Sequence, residues 1–428
     1  MDNDLIGVGV GPANLSLAAL VASARNCGLI SMRSTFLERN PAILWHSGQL
    51  FPGTLMQTEF YRDLVTPVDP TSKFSFLNYL KSNARLDQFF CSSTIYPMRR
   101  EFEDYFNWVA KQLKDVVLST DVTSVEYDPE ATLFVVQAAD GRRFEAAHIV
   151  LGCGPMPDTA IARNETSRVV DVSRLLAFEF PSPLQQVLVV GGGQSAAECV
   201  NYLLDRYADA GTQITWITRD TAFRALDTGN FSRETFSASY VRDFAALPEP
   251  LRDRILYGDR SVAHGITPSV AQALYQRLYA LKHLRFAPDA DCPSVRMHVN
   301  QEVIEIHDEV QGASVTMRAL ATNELAVHVF DCVVLCTGFG DRTIFDSPII
   351  GDRLKRRISK NDAPDGYAVA WDGPHDRKIF VQSQNEKTHG RGDGNFITAP
   401  ARNASILNSI AGRVIYAIDD GDKLVLLS

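Results

Sequence analysis

Two glycine-rich turns are the segments of this chain whose residue types and spacing most directly predict chemistry. The first occupies residues 9–14 (GVGPAN) and the second residues 191–196 (GGGQSA). Glycines let a turn tighten and let its backbone approach a pyrophosphate, which then lies against the free N–H groups of the following helix. Each turn therefore predicts a dinucleotide site. The residues expected to contact the cofactors are Gly9, Gly11, Pro12 and Asn14 in the first turn, and Gly191, Gly193, Gln194 and Ser195 in the second.

The residue at the end of the next strand differs between the two copies. Glu38 follows Gly9 by 29 positions, and Arg219 follows Gly191 by 28. A carboxylate at this place accepts the ribose hydroxyls of a dinucleotide without a 2′-phosphate, whereas an arginine can hold a 2′-phosphate through two parallel hydrogen bonds. The first site is therefore predicted to bind FAD and the second NADPH, with Arg224 as another candidate for the phosphate. FAD and NADPH in one chain indicate hydride transfer.

Alternating strands and helices must position both turns. Residues 4–9 and 186–190 are short apolar runs typical of buried strands, and a helix follows each turn, opened in the first copy by Pro12. The next strands are predicted at 34–38 and 213–217. This pattern predicts an α/β protein with two Rossmann-like dinucleotide-binding domains.

The order of the segments predicts that one domain is inserted in the other. Buried strands that end in glycine turns, at 147–154 and 331–339, resemble crossings of the chain between the two domains. We expect an FAD-binding domain at 1–158 and 331–428, an NADPH-binding domain at 159–222 and 283–330, and a small, mainly helical substrate subdomain at 223–282. Thr267 and Pro268 begin an amphipathic helix in that subdomain. Alternating residues at 291–330 predict antiparallel strands.

The composition argues against several other classes of protein. The chain has 428 residues and 45% hydrophobic content, which suits two or three globular domains. A formal charge of −9, without a dense run of Lys and Arg, argues against a nucleic-acid partner. The seven cysteines are scattered without paired spacing, and we expect no disulfide, metal site or catalytic cysteine but reduced, mostly buried thiols.

The amino-terminal stretch favours a cytoplasmic protein. Asp2 and Asp4 stand where a signal peptide needs positive charge. No apolar run reaches the roughly 18 to 20 residues that span a bilayer, so no transmembrane segment is expected.

Other parts of the chain resemble a known family. The segments that carry the resemblance are residues 44–48 (LWHSG), 56–58 (MQT), 63–66 (DLVT), 69–80 (DPTSKFSFLNYL) and 191–198 (GGGQSAAE), together with His389, Gly390, Asp393 and Arg402. They resemble the microbial N-hydroxylating monooxygenases that oxidise the side-chain amine of lysine or ornithine, or a diamine, for siderophore synthesis. The resemblance implies that NADPH reduces FAD and that the amine attacks a C4a-hydroperoxyflavin. It also implies a homo-oligomer, either a dimer or a tetramer.

The resemblance further implies which side chains surround the flavin and the substrate. Gln57 is expected near the reactive ring and is the one catalytic candidate. The other cofactor-binding candidates are Trp45, His46, Thr337, Gly338, Asn395 and Phe396, and the substrate-binding candidates are Arg62, Arg233, Thr267 and Ile397. Arg62 stands where ornithine and lysine enzymes carry a lysine that holds the substrate α-carboxylate.

The substrate is expected to be a small amino acid or amine. Two arginines favour an anionic group on it, and residues 265–267 (GIT) resemble the lysine branch. L-lysine is therefore the first candidate, followed by L-ornithine or a diamine. Residues 395–397 (NFI) depart from the usual Leu-Leu-Ser of the family.

Three alternatives remain open from the sequence. One is an NADPH–flavin reductase or oxidase without N-hydroxylation, although Cys332 and Cys336 lack the Cys-x-x-Cys spacing that a disulfide reductase would use. Another is a catalytically degenerate flavoprotein that acts as a binding subunit, suggested by the altered segment at 395–397. A third is a related monooxygenase that oxidises sulfur or carbon.

Overall fold

The computed structural model describes residues 3–154, 166–207, 211–258, 260–284, 294–339, 344–359 and 367–418. The strands are β1 (Asn3–Val8), β2 (Ser34–Leu37), β3 (Val116–Val117), β4 (Val122–Asp128), β5 (Leu133–Ala138), β6 (Arg143–Leu151), β7 (Val169–Asp171), β8 (Gln186–Val190), β9 (Gln213–Ile217), β10 (Ser294–His298), β11 (Gln301–Glu309), β12 (Gly312–Ala319), β13 (Leu325–Phe330), β14 (Cys332–Leu335) and β15 (Ile379–Val381).

The helices divide into α-helices and short 3-10 segments. The α-helices are α1 (Pro12–Asn26), α2 (Phe76–Ser82), α3 (Leu86–Cys91), α4 (Arg99–Ala110), α5 (Gln194–Arg206), α6 (Ala238–Ala246), α7 (Glu249–Gly258), α8 (Arg260–Ala263), α9 (Pro268–His283), α10 (Asp352–Lys355), α11 (Glu386–His389) and α12 (Ala399–Ala411). The 3-10 segments are Ser47–Gln49, Val172–Ala177, Ser232–Phe236, Ile344–Asp346 and Phe396–Thr398.

The first sheet joins a parallel part to an antiparallel part. Its order is β3-β2-β1-β6-β5-β4, with β15 also paired to β6. Strand β6 belongs to both parts because its first half pairs antiparallel with β5, whereas its second half pairs parallel with β1 and β15. Helix α1 packs against α12 beside this sheet, and most of its side chains are buried.

The second sheet is parallel throughout, in the order β10-β9-β8-β14-β7. Strands β8 and β9 begin and end as the sequence predicts, because both are runs of apolar and β-branched residues with polar boundaries. Helix α5 follows β8 directly and buries one apolar face against the sheet. Two α/β units with a glycine turn after the first strand of each confirm the predicted fold class.

The structure differs from the sequence prediction at two strands. Strand β14 was expected where the FAD domain resumes, but it pairs with β7 and β8 in the second sheet. The chain returns to the first unit only after Leu335, and by Ile344 it lies in the core beneath β4 and β5. Strand β10 pairs parallel with β9 rather than antiparallel with its successors. Both strands are too short for their residue pattern to specify a neighbour.

The remaining elements form a three-stranded sheet and a helical group. Strands β11, β12 and β13 are antiparallel, as predicted, and Gly312 begins the second strand of the hairpin. Helices α6 to α9 occupy the predicted helical region. Helix α9 packs against the hydrophobic core of the second sheet through its predicted apolar face, which comprises Val270, Ala271, Leu274, Leu278 and Leu281. Among the helices that the structure describes, none has the length and apolarity required to cross a membrane.

Candidate functional site

The first glycine turn is closed on the sheet side and open on the other side. Gly9 has φ 79°, and its N–H donates to the carbonyl of Leu37 at 2.9 Å. A Cβ on Gly9 would lie 2.8 Å from the carbonyl oxygen of Gly152, so only glycine fits. At Gly11 an added Cβ would meet no atom within 4 Å. The open space therefore begins at Gly11, the N-cap of α1.

The second turn repeats this construction with different residues. Gly191 has φ 137°, and its N–H donates to the carbonyl of Ile217 at 2.9 Å. A Cβ on Gly191 would lie 2.2 Å from the carbonyl oxygen of Cys336, whereas a Cβ on Gly193 would meet no atom within 4 Å. Gly193 is the N-cap of α5.

The two open spaces suit the pyrophosphate of a dinucleotide. Neither helix has a side-chain cap, so the first N–H groups of α1 and α5 receive no hydrogen bond acceptor from their N-cap residue. Uncapped N–H groups at a helix start favour an anion, and a glycine lets that anion come close. Pro12 is the first residue of α1, and Gln194 and Ser195 are the first two residues of α5.

The residues at the two strand ends, Glu38 and Arg219, differ in burial. Glu38 is buried, and its Oε2 accepts the N–H of Val10 at 2.9 Å. Its Oε1 accepts two bonds from Asn40, at 2.9 Å from the backbone N–H and 2.7 Å from the side-chain amide. Arg219 is exposed just beyond β9. The preceding Thr218 lies against the second turn, since its Oγ1 is 2.6 Å from where a Cβ on Gly192 would stand. Arg224 is also exposed and donates to Thr221 at 3.2 Å.

Asn14, which stands where a third glycine is usual, holds the first turn from inside. Its side chain is fully buried and donates to the carbonyl of Gly9 at 2.8 Å. Gln382 donates to Oδ1 of Asn14 at 3.2 Å and to Oδ1 of Asn403 at 2.7 Å, and Asn403 donates to the carbonyl of Ala13 at 2.8 Å. The side chain of Asn14 therefore contacts protein, and only its backbone is available to a cofactor.

This buried polar network continues and was not predicted from the sequence. Arg402 donates to Oε1 of Gln382 at 2.6 Å and to Oδ1 of Asp393 at 2.9 Å, and both charged side chains are fully buried. Oδ2 of Asp393 accepts the N–H of Asn385 at 2.6 Å. The available signal was the pair Asp393 and Arg402 within the family resemblance, but Gln382 and Asn403 had none.

Aromatic side chains from three segments of the chain meet in one cluster. Phe396 lies 6.5 Å from Trp45, 5.9 Å from Phe102 and 5.8 Å from Phe106, measured between ring centroids. The backbone N–H of Trp45 also donates to Oε2 of Glu103 at 2.9 Å. The side chain of Gln57 is exposed between buried Met56 and Thr58, so it points into open space. The structure thus brings Trp45 and Phe396 together.

The segment around Asn395 is held by its own side chain. Oδ1 of Asn395 accepts the N–H of Ile397 at 3.0 Å and caps the 3-10 segment Phe396–Thr398. Ile397 is half-buried. Thr337 and Gly338 follow β14, next to the Cys336 carbonyl that closes the second turn, and Gly338 has φ 83° with open space around it. These two residues therefore lie on the side of the second turn.

The histidines near the site are neutral at physiological pH. Burial, with a smaller contribution from the charge of Arg99, lowers the pKa of His46 to about 4. Burial also lowers the pKa of His389 to about 4. The ring of His389 stacks on Tyr367 at 4.1 Å, and its Nδ1 is 2.8 Å from Oγ1 of Thr388. Neither imidazole is therefore suited to take a proton near pH 7.

A chain of polar contacts joins the two α/β units beside the second turn. Oε1 of Gln194 accepts the N–H of Thr267 at 2.8 Å, and Nε2 of Gln194 donates to Glu198 at 2.8 Å. Glu198 in turn accepts two hydrogen bonds of 3.0 Å from Arg99 of the first unit. Thr267 was expected at the substrate, but no hydrogen bond or ion pair among the described residues connects it with Arg62 or Arg233. It lies instead with Gln194.

The two arginines expected at the substrate meet at one carboxylate. Nε of Arg62 is 3.5 Å from Oε2 of Glu59, and Nη2 of Arg233 contacts Oε1 of the same residue. Glu59 is 1% exposed. The structure thus brings together Arg62 and Arg233, which are 171 positions apart in the chain, through a residue that was not among the predicted site residues.

The cysteines fit a protein without thiol chemistry. The six that lie in the described ranges are free, three of them buried and three exposed, and Cys292 lies outside those ranges. Burial raises the pKa of the thiols of Cys332 and Cys336. Inaccessible protonated thiols are poor nucleophiles, so these two residues do not form the redox pair of a disulfide reductase. The described residues contain no cluster of His, Cys, Asp and Glu suited to a metal ion.

Known proteins resemble this chain along almost its whole length. Residues 2–341 match the family described as L-lysine 6-monooxygenase/L-ornithine 5-monooxygenase. The L-lysine N6-monooxygenase of Escherichia coli is 30% identical over 99% of this chain and 97% of its own length.

Two solved structures share the fold. One is a cadaverine monooxygenase of the desferrioxamine biosynthetic pathway from Erwinia amylovora, bound to FAD, with TM-score 0.88 and 27% identity over 100% of this chain and 99% of that one. The other is an ornithine N-hydroxylase from Kutzneria sp. 744 with reduced FAD, NADP⁺ and L-ornithine, with TM-score 0.88 and 26% identity over 96% of this chain and 99% of that one.

Proposed function

The chain belongs to the L-lysine 6-monooxygenase/L-ornithine 5-monooxygenase family of flavin-dependent N-hydroxylating monooxygenases, and from that premise we propose which reaction it performs. It uses FAD, NADPH and oxygen to hydroxylate the primary amine of a small amino acid or amine. L-lysine is the first candidate substrate, followed by L-ornithine or a diamine. The product is an N-hydroxylamine for a siderophore or a related secondary metabolite, as the desferrioxamine pathway of the Erwinia neighbour suggests.

The observation that carries this proposal is the pair of open glycine turns built alike in one chain. Gly11 and Gly193 each border a space that a Cβ could enter without meeting an atom within 4 Å. Glu38 follows the first turn and Arg219 the second, which suits FAD in the first and NADPH in the second. When bound, these cofactors supply the reducing equivalents and the activated oxygen for hydroxylation.

We assign each cofactor its residues on this basis. The residues assigned to FAD are Gly9, Gly11, Pro12, the backbone of Asn14, Glu38, Trp45, His46, Gln57, Asn395 and Phe396. The residues assigned to NADPH are Gly191, Gly193, Gln194, Ser195, Arg219, Thr337 and Gly338. Gln57 is the catalytic candidate, because its amide is exposed and can donate and accept hydrogen bonds.

The protein has two tasks toward the amine, namely to orient it and to remove its proton. A lysine-like amine has a pKa near 10.4, so its neutral form at pH 7 costs roughly 4 kcal/mol. His46 and His389 have pKa values of about 4 and are poor bases for this purpose. Trp45 and Phe396, which are half-buried and lie in one aromatic cluster, exclude water instead, and a desolvated amine loses its proton more readily.

Substrate binding is assigned to Arg62, Arg233 and Ile397, with Thr267 acting through Gln194. The 3-10 segment that carries Arg233 packs on the loop that leads to Ile397, because the carbonyl of Thr235 lies 3.1 Å from where a Cβ on Gly392 would stand. Arg62 follows Gln57 on one loop. Arg62, Arg233 and Ile397 therefore lie on neighbouring segments, whereas Thr267 lies beside Gln194.

The proposal is tested with purified, FAD-loaded protein, NADPH and oxygen. Hydroxylamine formation, NADPH loss and hydrogen peroxide are measured in parallel for lysine, ornithine, putrescine, cadaverine and shorter amino acids. The expected result is one amine whose hydroxylamine accounts for most of the NADPH consumed. NADPH consumption that ends only in peroxide with every amine would contradict N-hydroxylation and favour a reductase or oxidase.

A further inference from the structure

Glu59 is a buried carboxylate whose charge is not explained by the packing around it. Its side chain is 1% exposed, and Oε2 is buried without a hydrogen bond partner. An ionised carboxylate that is removed from water needs compensating charge or hydrogen bonds. The neighbouring acid, Asp63, is also buried, but its oxygens accept bonds from the backbone of Val65, Thr66 and Phe76. Glu59 has no such set of bonds.

Two guanidinium groups from different parts of the chain supply the compensation. Arg62 lies on the same turn as Glu59, and its backbone N–H donates to the carbonyl of Glu59 at 3.0 Å. Arg233 arrives from the 3-10 segment Ser232–Phe236. Both arginines form an ion pair with Glu59. The three side chains together carry a net charge of +1.

The arginines keep capacity for a further ligand. A guanidinium presents five N–H donors in a planar fork, so the two arginines that contact Glu59 carry more donors than one carboxylate can accept. The side chains of Arg62 and Arg233 are 30% and 25% exposed, respectively, while the carboxylate beneath them is not accessible. The exposed donors therefore present positive charge to the substrate space.

We propose that Glu59 is a positioning residue that holds Arg62 and Arg233 as a clip for an anionic group at the end of the substrate opposite its reacting amine. The inference rests on the proposed function and narrows it to amino acids or other amines that carry a carboxylate. Guanidinium pairs bind carboxylates bidentately. A diamine would bring a second positive charge to a cluster that is already positive and would leave the exposed donors without an acceptor.

The matched substrates for a test are lysine with cadaverine and ornithine with putrescine, because the members of each pair differ only by the α-carboxylate. For the FAD-loaded wild-type protein, kcat/KM should be at least tenfold higher for the amino acid in one of these pairs. Arg233→Ala should raise the KM for that amino acid at least tenfold while leaving the KM for the matching diamine within twofold. Arg143→Ala removes an arginine from an exposed pair with Glu145 and should change neither value.

Glu59 is tested through its coupling to Arg233. Glu59→Gln keeps the shape and removes the charge, and it should raise the KM for the amino acid about tenfold at a nearly unchanged kcat. When Arg233 is already replaced by alanine, Glu59→Gln should change the KM for the amino acid less than twofold, because the guanidinium group that Glu59 positions is absent. Glu145→Gln serves as the exposed control. FAD content and melting temperature of each variant establish that it is folded, and Arg233→Lys provides a milder substitution at the same place.

Isothermal titration of the FAD-loaded protein with the same amines separates this inference from the proposed function. Carboxylate-dependent binding that Arg233→Ala abolishes, without hydroxylamine from any amine, would contradict the proposed function and support the clip. The clip would be overturned if the wild-type protein bound the diamine more tightly than the amino acid and Glu59→Gln weakened the binding of the diamine. That result would show that Glu59 recognises a second ammonium group. If Glu59→Gln weakened the binding of the amino acid and of the diamine equally, Glu59 would be a structural residue and the clip would be overturned.

Discussion

Arg99 of the first α/β unit and Glu198 of the second form a buried, bidentate ion pair with two hydrogen bonds of 3.0 Å. The side chains are only 10% and 5% exposed. Arg99 also donates to the carbonyl of Gln49 at 3.1 Å, and Glu198 accepts a bond from Gln194 at the start of α5. The contact between the units and the second glycine turn therefore depend on the same carboxylate.

Loss of either partner should destabilise the protein strongly. Arg99→Met or Glu198→Leu leaves a buried charge unpaired, which costs about 3–5 kcal/mol. The double variant should cost clearly less than the sum of the two, since it leaves no charge unpaired. Urea unfolding measures these changes in the free energy of unfolding, with Arg143→Met in an exposed pair as the control at about 0–1 kcal/mol. Additive losses would indicate that the two side chains act independently.

Alanine at the two glycines of the first turn should affect different properties, namely stability at Gly9 and FAD binding at Gly11. Gly9→Ala places a Cβ 2.8 Å from a carbonyl oxygen at φ 79°, so it should destabilise the fold by at least about 1–2 kcal/mol. Gly11→Ala adds a Cβ at φ −70° where no atom lies within 4 Å. It should leave the melting temperature of the FAD-free protein nearly unchanged while lowering the FAD retained after gel filtration. Full FAD occupancy in Gly11→Ala would place the pyrophosphate elsewhere.

Arg219 should determine the preference for NADPH over NADH. A charge-assisted hydrogen bond is worth about 1.5–3 kcal/mol, so Arg219→Ala should raise the KM for NADPH about tenfold or more, with little change for NADH. Stopped-flow reduction of the flavin by each nucleotide measures this directly. Arg224→Ala is the matched comparison, because Arg224 is a nearby exposed arginine that donates to Thr221. If Arg224→Ala has the larger effect, the 2′-phosphate binds there.

The protein should lose stability as the pH falls below about 6.5. The pKa of His389 falls from the ordinary 6.5 to about 4 on folding, mainly through burial. Between these values the unfolded chain binds the proton and the folded protein does not, so acidification favours unfolding by up to about 3 kcal/mol at this residue. Burial also lowers the pKa values of His46 and His148 to about 4, so these residues contribute to the pH dependence in the same direction.

Melting temperatures between pH 8 and pH 4.5 test this dependence. His389→Gln should show a shallower decline below pH 6.5 than the wild-type protein, whatever its stability at pH 8. His375→Gln removes an exposed histidine and should follow the wild-type curve. Parallel curves for all three proteins would mean that His389 titrates alike in the folded and unfolded states.

Local sequence patterns predicted strands β8 and β9 of the second sheet well, but they did not predict that β10 and β14 pair beside them. Strands β8 and β9 and the glycine turn between β8 and α5 depend on residues within a few positions of one another, and their ranges match the prediction. The neighbours of β14 and β10 depend on how distant segments pack, and the apolar runs of these strands suit either sheet. The crossing near residue 331 was therefore predicted one strand too early.

The site divides in the same way. Glu38 and Arg219 could be proposed from the sequence, because the dinucleotide fold places the end of its second strand beside the glycine turn. Glu59 could not be assigned, because its role comes from Arg233, which reaches it from a segment 174 positions later. Asn14 was predicted at the turn, but its buried bonds to Gln382 depend on a pairing across 368 positions.

The buried polar network around Asn14 affects when the first glycine turn can fold during synthesis of the chain. Asn14 is held by Gln382, and Gln382 by Asn403 of α12. A nascent chain emerges from the ribosome amino terminus first, so it exposes the GVGPAN turn long before the residues that fix it from inside. The first glycine turn is therefore fixed only when nearly the whole chain has been synthesised. We expect FAD to bind at the end of folding rather than at its beginning.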